Sequence, residues 1–231
     1  MARCDIIIVL QRGDNMIRKT SLFTIALALA FSACGKETGR KHEVAYNKAE
    51  ELVKKGKFTE AEAQYREAIR LKEDYEEAYT GLGILMMQEG RYEEADSFLA
   101  KAIYYNPSNP SAHYNKAVLM NKMDRNKEAE EEFKAALKLR PDYPEAHVGY
   151  GALLYKQGLN ETAELEFKEA IRLDPDCAEG HLYLGAVYDL TWRRDEAIRE
   201  ITKARDLFKA RGDTLGLRVA EEALKKARTP R

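Results

Sequence analysis

The sequence predicts an all-α solenoid of antiparallel helix pairs, and three observations predict it. Alanines recur at a fixed 34-residue period, at Ala61, Ala95, Ala129, Ala163 and Ala197. A second set, Ala68, Ala102, Ala136, Ala170 and Ala204, keeps the same period at another phase. Chain breakers are phased as well, with Gly56, Gly90 and Gly158 in one register and Pro107, Pro141 and Pro175 in another. Between the breakers Ala, Glu, Lys, Leu and Arg dominate, which are the strongest helix formers. A unit of this length cannot bury its apolar face alone, so it stacks on its neighbours.

Five copies fill residues 42–211, as 42–75, 76–109, 110–143, 144–177 and 178–211. In the second copy, Tyr79, Leu82, Gly83 and Met86 mark the apolar face of a first helix. Ala95, Leu99, Ala102 and Ile103 mark that of a second. Both follow the i, i+3, i+4, i+7 spacing of an amphipathic helix. Gly90 closes the first helix, where a positive φ is needed. The stretches NPSNP, RPDYP and DPD end the second helix, because proline cannot continue one. Small residues at Gly83, Ala117, Gly151 and Gly185 allow the two helices of a pair to approach closely. The fifth copy is degenerate, with Trp192 in place of the turn glycine and Lys209 in place of the proline. Gly212 then breaks the chain, and 212–231 carries a C-terminal capping helix over 213–228. Leu215, Val219 and Leu224 are expected to face the stack.

These features resemble the tetratricopeptide repeat (TPR) family, whose pattern is W-x₂-L-G-x₂-Y, then A-x₃-F, then P. Here it reads His181-x₂-Leu184-Gly185-x₂-Tyr188, with A-x₃-F at Ala129/Phe133 and Ala163/Phe167. The resemblance implies a right-handed superhelix whose concave groove holds an extended peptide or a partner helix. The groove positions it implies are Tyr46, Asn47, Thr80, Ile84, Tyr114, Asn115, Val118, Tyr155, Leu182 and Tyr183. Rings there would supply contact area and amides hydrogen bonds to a partner backbone. Chaperone-binding members carry a clamp of Lys, Asn and Arg on successive first helices. The matching positions here, such as Tyr46, Glu50, Ile84 and Val118, are not basic, so a cytosolic co-chaperone is a poor fit.

Ahead of the repeats, the chain is uncharged from Thr20 to Gly35. As a helix this run would reach about 24 Å, short of the roughly 30 Å core of a bilayer. It suits the apolar region of a signal peptide, with Arg18 and Lys19 as its positive flank. Phe31-Ser32-Ala33-Cys34 resembles the lipobox of bacterial lipoproteins, with Phe31 standing where the family has Leu. The resemblance implies that 1–33 is removed and that Cys34 carries the lipid. Residues 34–41 then form a short polar linker of roughly 25 Å reach. Asp5 and Asp14 do not suit a signal peptide, which makes Met16 the expected translation start. Gly35 after the cysteine allows, by the same resemblance, transport to the outer membrane if the cell is Gram-negative. The architecture is similar to TPR lipoproteins that assist type IV pilus secretin assembly and to scaffolds of peptidoglycan enzymes. The expected partner is therefore an envelope protein, and the alternative is a soluble cytosolic TPR adaptor or a scaffold for peptidoglycan enzymes.

Other classes fit poorly. With 38 basic and 39 acidic residues, the chain lacks the basic excess that nucleic acid attracts. Three cysteines without a CxxC spacing make neither a disulfide framework nor a zinc site. Cys177, just after Pro175, reads as an incidental residue of an inter-repeat loop. His113, His147 and His181 share the repeat period. Packed helix pairs would separate them by about 10 Å, too far to share a zinc whose ligands sit about 2 Å away. They occupy the position where TPR repeats have Trp and are expected to pack in its stead. No GxSxG, HExxH, Walker A or GxGxxG is present, so no enzyme, cofactor or small-molecule substrate is expected.

Overall fold

A computed structural model describes residues 40–229. The lipobox with Cys34, the start at Met16 and most of the linker lie outside the described residues. Among the described residues, eleven helices follow one another. They begin as α1 at 40–54, α2 Phe58–Leu71, α3 Glu76–Gln88, α4 Tyr92–Tyr105, α5 Pro110–Lys122 and α6 Asn126–Leu139. They continue as α7 Pro144–Lys156, α8 Asn160–Leu173, α9 Ala178–Leu190, α10 Arg194–Arg211 and α11 Thr214–Arg228.

The punctuation acts as its chemistry dictates. Gly56, Gly90 and Gly158 take φ of 72°, 76° and 80° in the turns between paired helices, and Asp124 and Trp192 take the same left-handed conformation at 58° and 64°. A tryptophan there is strained, since left-handed backbone costs a residue with a Cβ about 1–2 kcal/mol. Helices α4, α6 and α8 end two residues before Pro107, Pro141 and Pro175, because the residue preceding proline is pushed out of the α region.

Each odd-numbered helix from α3 to α9 packs on the even-numbered helix that follows it and also approaches the next odd-numbered helix. The backbones of even-numbered helices stay apart among the described residues and side chains bridge them, as Arg66 of α2 does over the Phe98 ring of α4 at 5.4 Å. The odd helices therefore line the inner wall and the even ones the outer. In the pairs α3/α4, α7/α8 and α9/α10 a missing side chain is what permits contact, and α5 has the small Ala117 at the same position. A Cβ on Gly83 would lie 2.6 Å from Leu99, one on Gly151 2.6 Å from Phe167, and one on Gly185 2.5 Å from Ile201. The core follows the predicted phases: both alanine sets are fully buried, as are Phe133, Phe167 and Leu99.

Neighbouring repeats are also stapled by charge. Arg91, Arg125 and Arg193 each reach back to the preceding repeat, to Glu62, Asp96 and Glu164, at 2.9 Å. In the fourth repeat Leu159 takes the arginine's place, and Glu130 instead pairs with Lys134 at 2.6 Å.

The capping helix differs from expectation. Leu224 is buried, but Leu215 and Val219 are 62% and 43% exposed. The reason is a two-residue slip. The residues capping α3, α5, α7 and α9 are Tyr75, Asn109, Tyr143 and Cys177, spaced by one repeat length each time. Helix α11 is capped by Asp213, two residues later than that frame allows. Lacking the proline that stops its counterparts, α10 runs for 18 residues where α8 has 14. Counted from their own caps, Ala220 and Leu224 fall where Leu184 and Tyr188 fall in α9, and all four are buried. Leu215 and Val219 then occupy the offsets of Glu179 and Tyr183, on the inner wall.

Candidate functional site: the concave groove

The inner wall opens into a cavity of about 570 Å³ where α5, α7 and α9 meet. Tyr114 and Tyr183 stand on opposite sides of it, with Pro144, Val148, Gly149 and Ala152 of α7 between them. Glu145, Asp174 and Glu179 bring carboxylates to one edge, and Cys177 and Arg211 complete the lining. The two rings are held from behind. Tyr183 stacks on the buried Phe167 at 5.3 Å and 8°, and Tyr114 leans on Tyr143 at 5.1 Å and on Phe133 at 6.2 Å. Gly149 keeps the floor low, since a Cβ there would lie 2.7 Å from the Phe133 ring. Burial pushes the Tyr114 phenol up to about 12, with Tyr143, Glu145 and Glu179 adding to the shift. It therefore stays a neutral hydrogen-bond donor at physiological pH.

The other groove positions divide by depth. Ile84 lines a smaller cavity of about 90 Å³ beside Glu50, Val53 and Tyr65. Asn47 is exposed. Tyr46 is half-buried against Tyr65 and Tyr75, at 5.8 and 5.6 Å between ring centres. Val118, Tyr155 and Leu182 are half-buried against the core. Asn115 donates to the Ser111 carbonyl of its own helix at 2.8 Å. Thr80 is buried, its hydroxyl donating to the Glu76 carbonyl at 3.1 Å. Of the ten positions, Tyr114 and Tyr183 are those that meet across the large cavity.

Several contributors to that cavity escaped the sequence reading. Glu145 and Glu179 sit at the first turns of α7 and α9, where acids are common on any helix. Arg211 belongs to the extra turn of α10 and pairs with Glu179 at 3.5 Å. Cys177 is buried as the cap of α9, its sulfur accepting from the Gly180 amide at 3.4 Å. Burial raises its pKa, which keeps it a thiol.

A second constellation lies between paired helices. His113, His147 and His181 do take the Trp position, yet each binds at both ring nitrogens. Nδ1 lies 2.6, 2.7 and 2.6 Å from Glu132, Glu166 and Glu200. Nε2 lies 3.1, 2.9 and 3.2 Å from the carbonyls of Pro107, Pro141 and Pro175. Both partners of each histidine repeat with the same period as the histidines themselves. A neutral imidazole has only one N–H and satisfies one acceptor, whereas imidazolium satisfies both.

The hydrogen bond that His113 donates to Glu132 raises the His113 pKa against the opposing pull of burial. For His147, burial pulls down, but Glu166 and the Pro141 carbonyl outweigh it, and the pKa again rises. A raised pKa contributes stability in full below the unfolded value of about 6.5, and loses it as pH climbs through the folded value. Urea unfolding is therefore expected to need more denaturant at pH 6 than at pH 8, with His113→Gln/His147→Gln flattening that difference. An unchanged slope in the double variant would show that other groups carry it.

Known proteins align with this architecture. Two family models, both described as tetratricopeptide repeat, match the chain, one over residues 52–119 and the other over 122–176 and 153–211. No curated protein sequence matches it. Among solved structures, YrrB, described as a TPR protein with an unusual peptide-binding site, is 24% identical, with a TM-score of 0.59 over 85% of this chain and 98% of its own. TTC0263 of Thermus thermophilus is 21% identical, with a TM-score of 0.66 over 80% of this chain and 99% of its own. PilF of Pseudomonas aeruginosa is 15% identical, with a TM-score of 0.67 over 83% and 94%. At these identities the likeness concerns the fold.

Proposed function

Because the chain belongs to the tetratricopeptide repeat family, we propose that it is a non-enzymatic adaptor that holds a peptide segment or helix of a partner protein in its concave groove. The observation that carries this reading is the cavity between Tyr114 and Tyr183. It is concave and of ligand-binding size, and its rings are braced from behind by Phe167 and Tyr143. Rigid aromatic walls lose little side-chain entropy on binding, which is what an anchoring site requires.

The proposal extends to location. The adaptor is anchored through a lipid on Cys34, on the periplasmic face of the bacterial envelope, and serves the assembly of an envelope complex such as a pilus or secretion system. This part rests on the Arg18-Lys19 flank, the apolar run that follows it and the small-small-Cys ending. Two or more acyl chains anchor stably where one does not.

Crosslinking in cells, followed by purification of the full-length chain, tests the groove. Tyr114→Ala with Asn115→Ala is expected to weaken partner capture more than about tenfold, and undiminished capture removes the groove assignment. The mass of the native N-terminus tests the anchor. An acylated Cys34 as first residue is expected, and an intact N-terminus would leave a soluble adaptor.

A further inference from the structure

The groove cavity is not neutral. Glu145 and Glu179 extend from the first turns of α7 and α9, offsetting the positive ends of those helices. Asp174 does the reverse, since it caps the C-terminal end of α8, where the helix dipole is already negative. Three carboxylates thus converge on a cavity whose remaining wall is aromatic and aliphatic. One cation meets them. Arg211 pairs with Glu179 at 3.5 Å and donates to the backbone carbonyl of Asp176. It comes from the turn by which α10 exceeds the other even-numbered helices, so the chain has delivered its own guanidinium to this edge. Even with Arg211 counted, the lining carries two more negative charges than positive.

We propose that the cavity accepts an arginine or lysine side chain from the partner segment, and that Arg211 is the resident group which that side chain displaces from Glu179. This rests on the groove reading and specifies its chemistry. The aliphatic stem packs along Val148 and Ala152, the cationic head lies within reach of Glu145, Asp174 and Glu179, and the faces of Tyr114 and Tyr183 add cation–π attraction. An acidic segment, or a free C-terminal carboxylate, would meet three like charges and have Arg211 as its one cationic partner in the lining.

The two signs of partner make opposite predictions for a single substitution. The probe is an array of ten-residue fluorescent peptides carrying Arg, Lys, Gln or Glu at the centre, with Ala, Leu and Tyr randomised around it, applied to the full-length chain. Arg and Lys peptides are expected to bind more tightly than Glu peptides. Arg211→Ala should tighten them about two- to fivefold, the range of a half-exposed ion pair, and Glu145→Gln/Glu179→Gln should weaken them. A preference for Glu peptides, lost in Arg211→Ala, would overturn the charge assignment and leave the groove reading intact. Arg-peptide binding that ignores the glutamate substitutions overturns it too. Failure of every peptide to bind wild type and Arg211→Ala, with unfolding transitions unchanged, would bring down the groove reading itself.

Discussion

Phe167→Ala is expected to lower the unfolding free energy by about 3–5 kcal/mol, the cost of emptying a phenylalanine site in a close-packed core. The ring is fully buried and fills the space left by Gly151 on the facing helix, so its loss leaves that glycine without a packing partner. It also backs Tyr183, whose ring stacks on it at 5.3 Å. The same substitution should therefore release one wall of the groove cavity, and peptide affinity should fall even below the temperature at which the protein unfolds. Urea titration followed by helical circular dichroism reads the first effect, and binding measured well below the transition reads the second. A loss under about 1 kcal/mol would mean that the repeat relaxes around the cavity in a way close packing does not allow.

The mirror experiment is Gly151→Leu. Its Cβ alone would come within 2.6 Å of the Phe167 ring, and three further carbons follow. Overpacking of this kind costs about 1–3 kcal/mol and more where nothing can yield. Here the obstacle is a ring with no exposed surface, so the upper end or beyond is expected. Gly158 makes the contrast. Its φ of 80° calls for glycine on backbone grounds, while a Cβ there would have no neighbour within 4 Å, so a substitution strains the turn without crowding the core. Combining Gly151→Leu with Phe167→Ala should cost less than the sum of the two, because the new side chain enters the space the ring vacates. Strict additivity would show that the two residues do not share one volume.

How much of this could be read beforehand follows from the range of each interaction. The helix pairs, their turns and their buried alanines were legible because a local rule, repeated at a fixed period, generates them all. The capping helix was misjudged for the same reason. Lys209 in the proline's place lets α10 continue, and extrapolating the repeat frame past Arg211 puts Leu215 and Val219 on the wrong face. Each histidine finds one partner on the following helix and the other in the loop before its own. No single-helix pattern exposes such pairings, although their shared period was present in Glu132, Glu166 and Glu200. Among the groove residues, position told which side chains belong to the inner wall but not how deep each sits. Thr80 turns its hydroxyl to its own backbone, while Tyr183 is lifted into the cavity by the ring beneath it.

The long final turn of α10 has a bearing on how the molecule could be built or have grown. Whole repeat modules could be inserted or removed in backbone register at the junctions before Pro110, Pro144 or Ala178, since their caps lie one repeat length apart, although the junction before Pro144 lacks the arginine staple of the other two. The joint at Arg211 is out of that register. A further module grafted there in the regular frame would begin two residues out of phase, turning its sticky face by about 200°. The element that does follow, α11, meets the stack in its own shifted frame, with Ala220 and Leu224 buried.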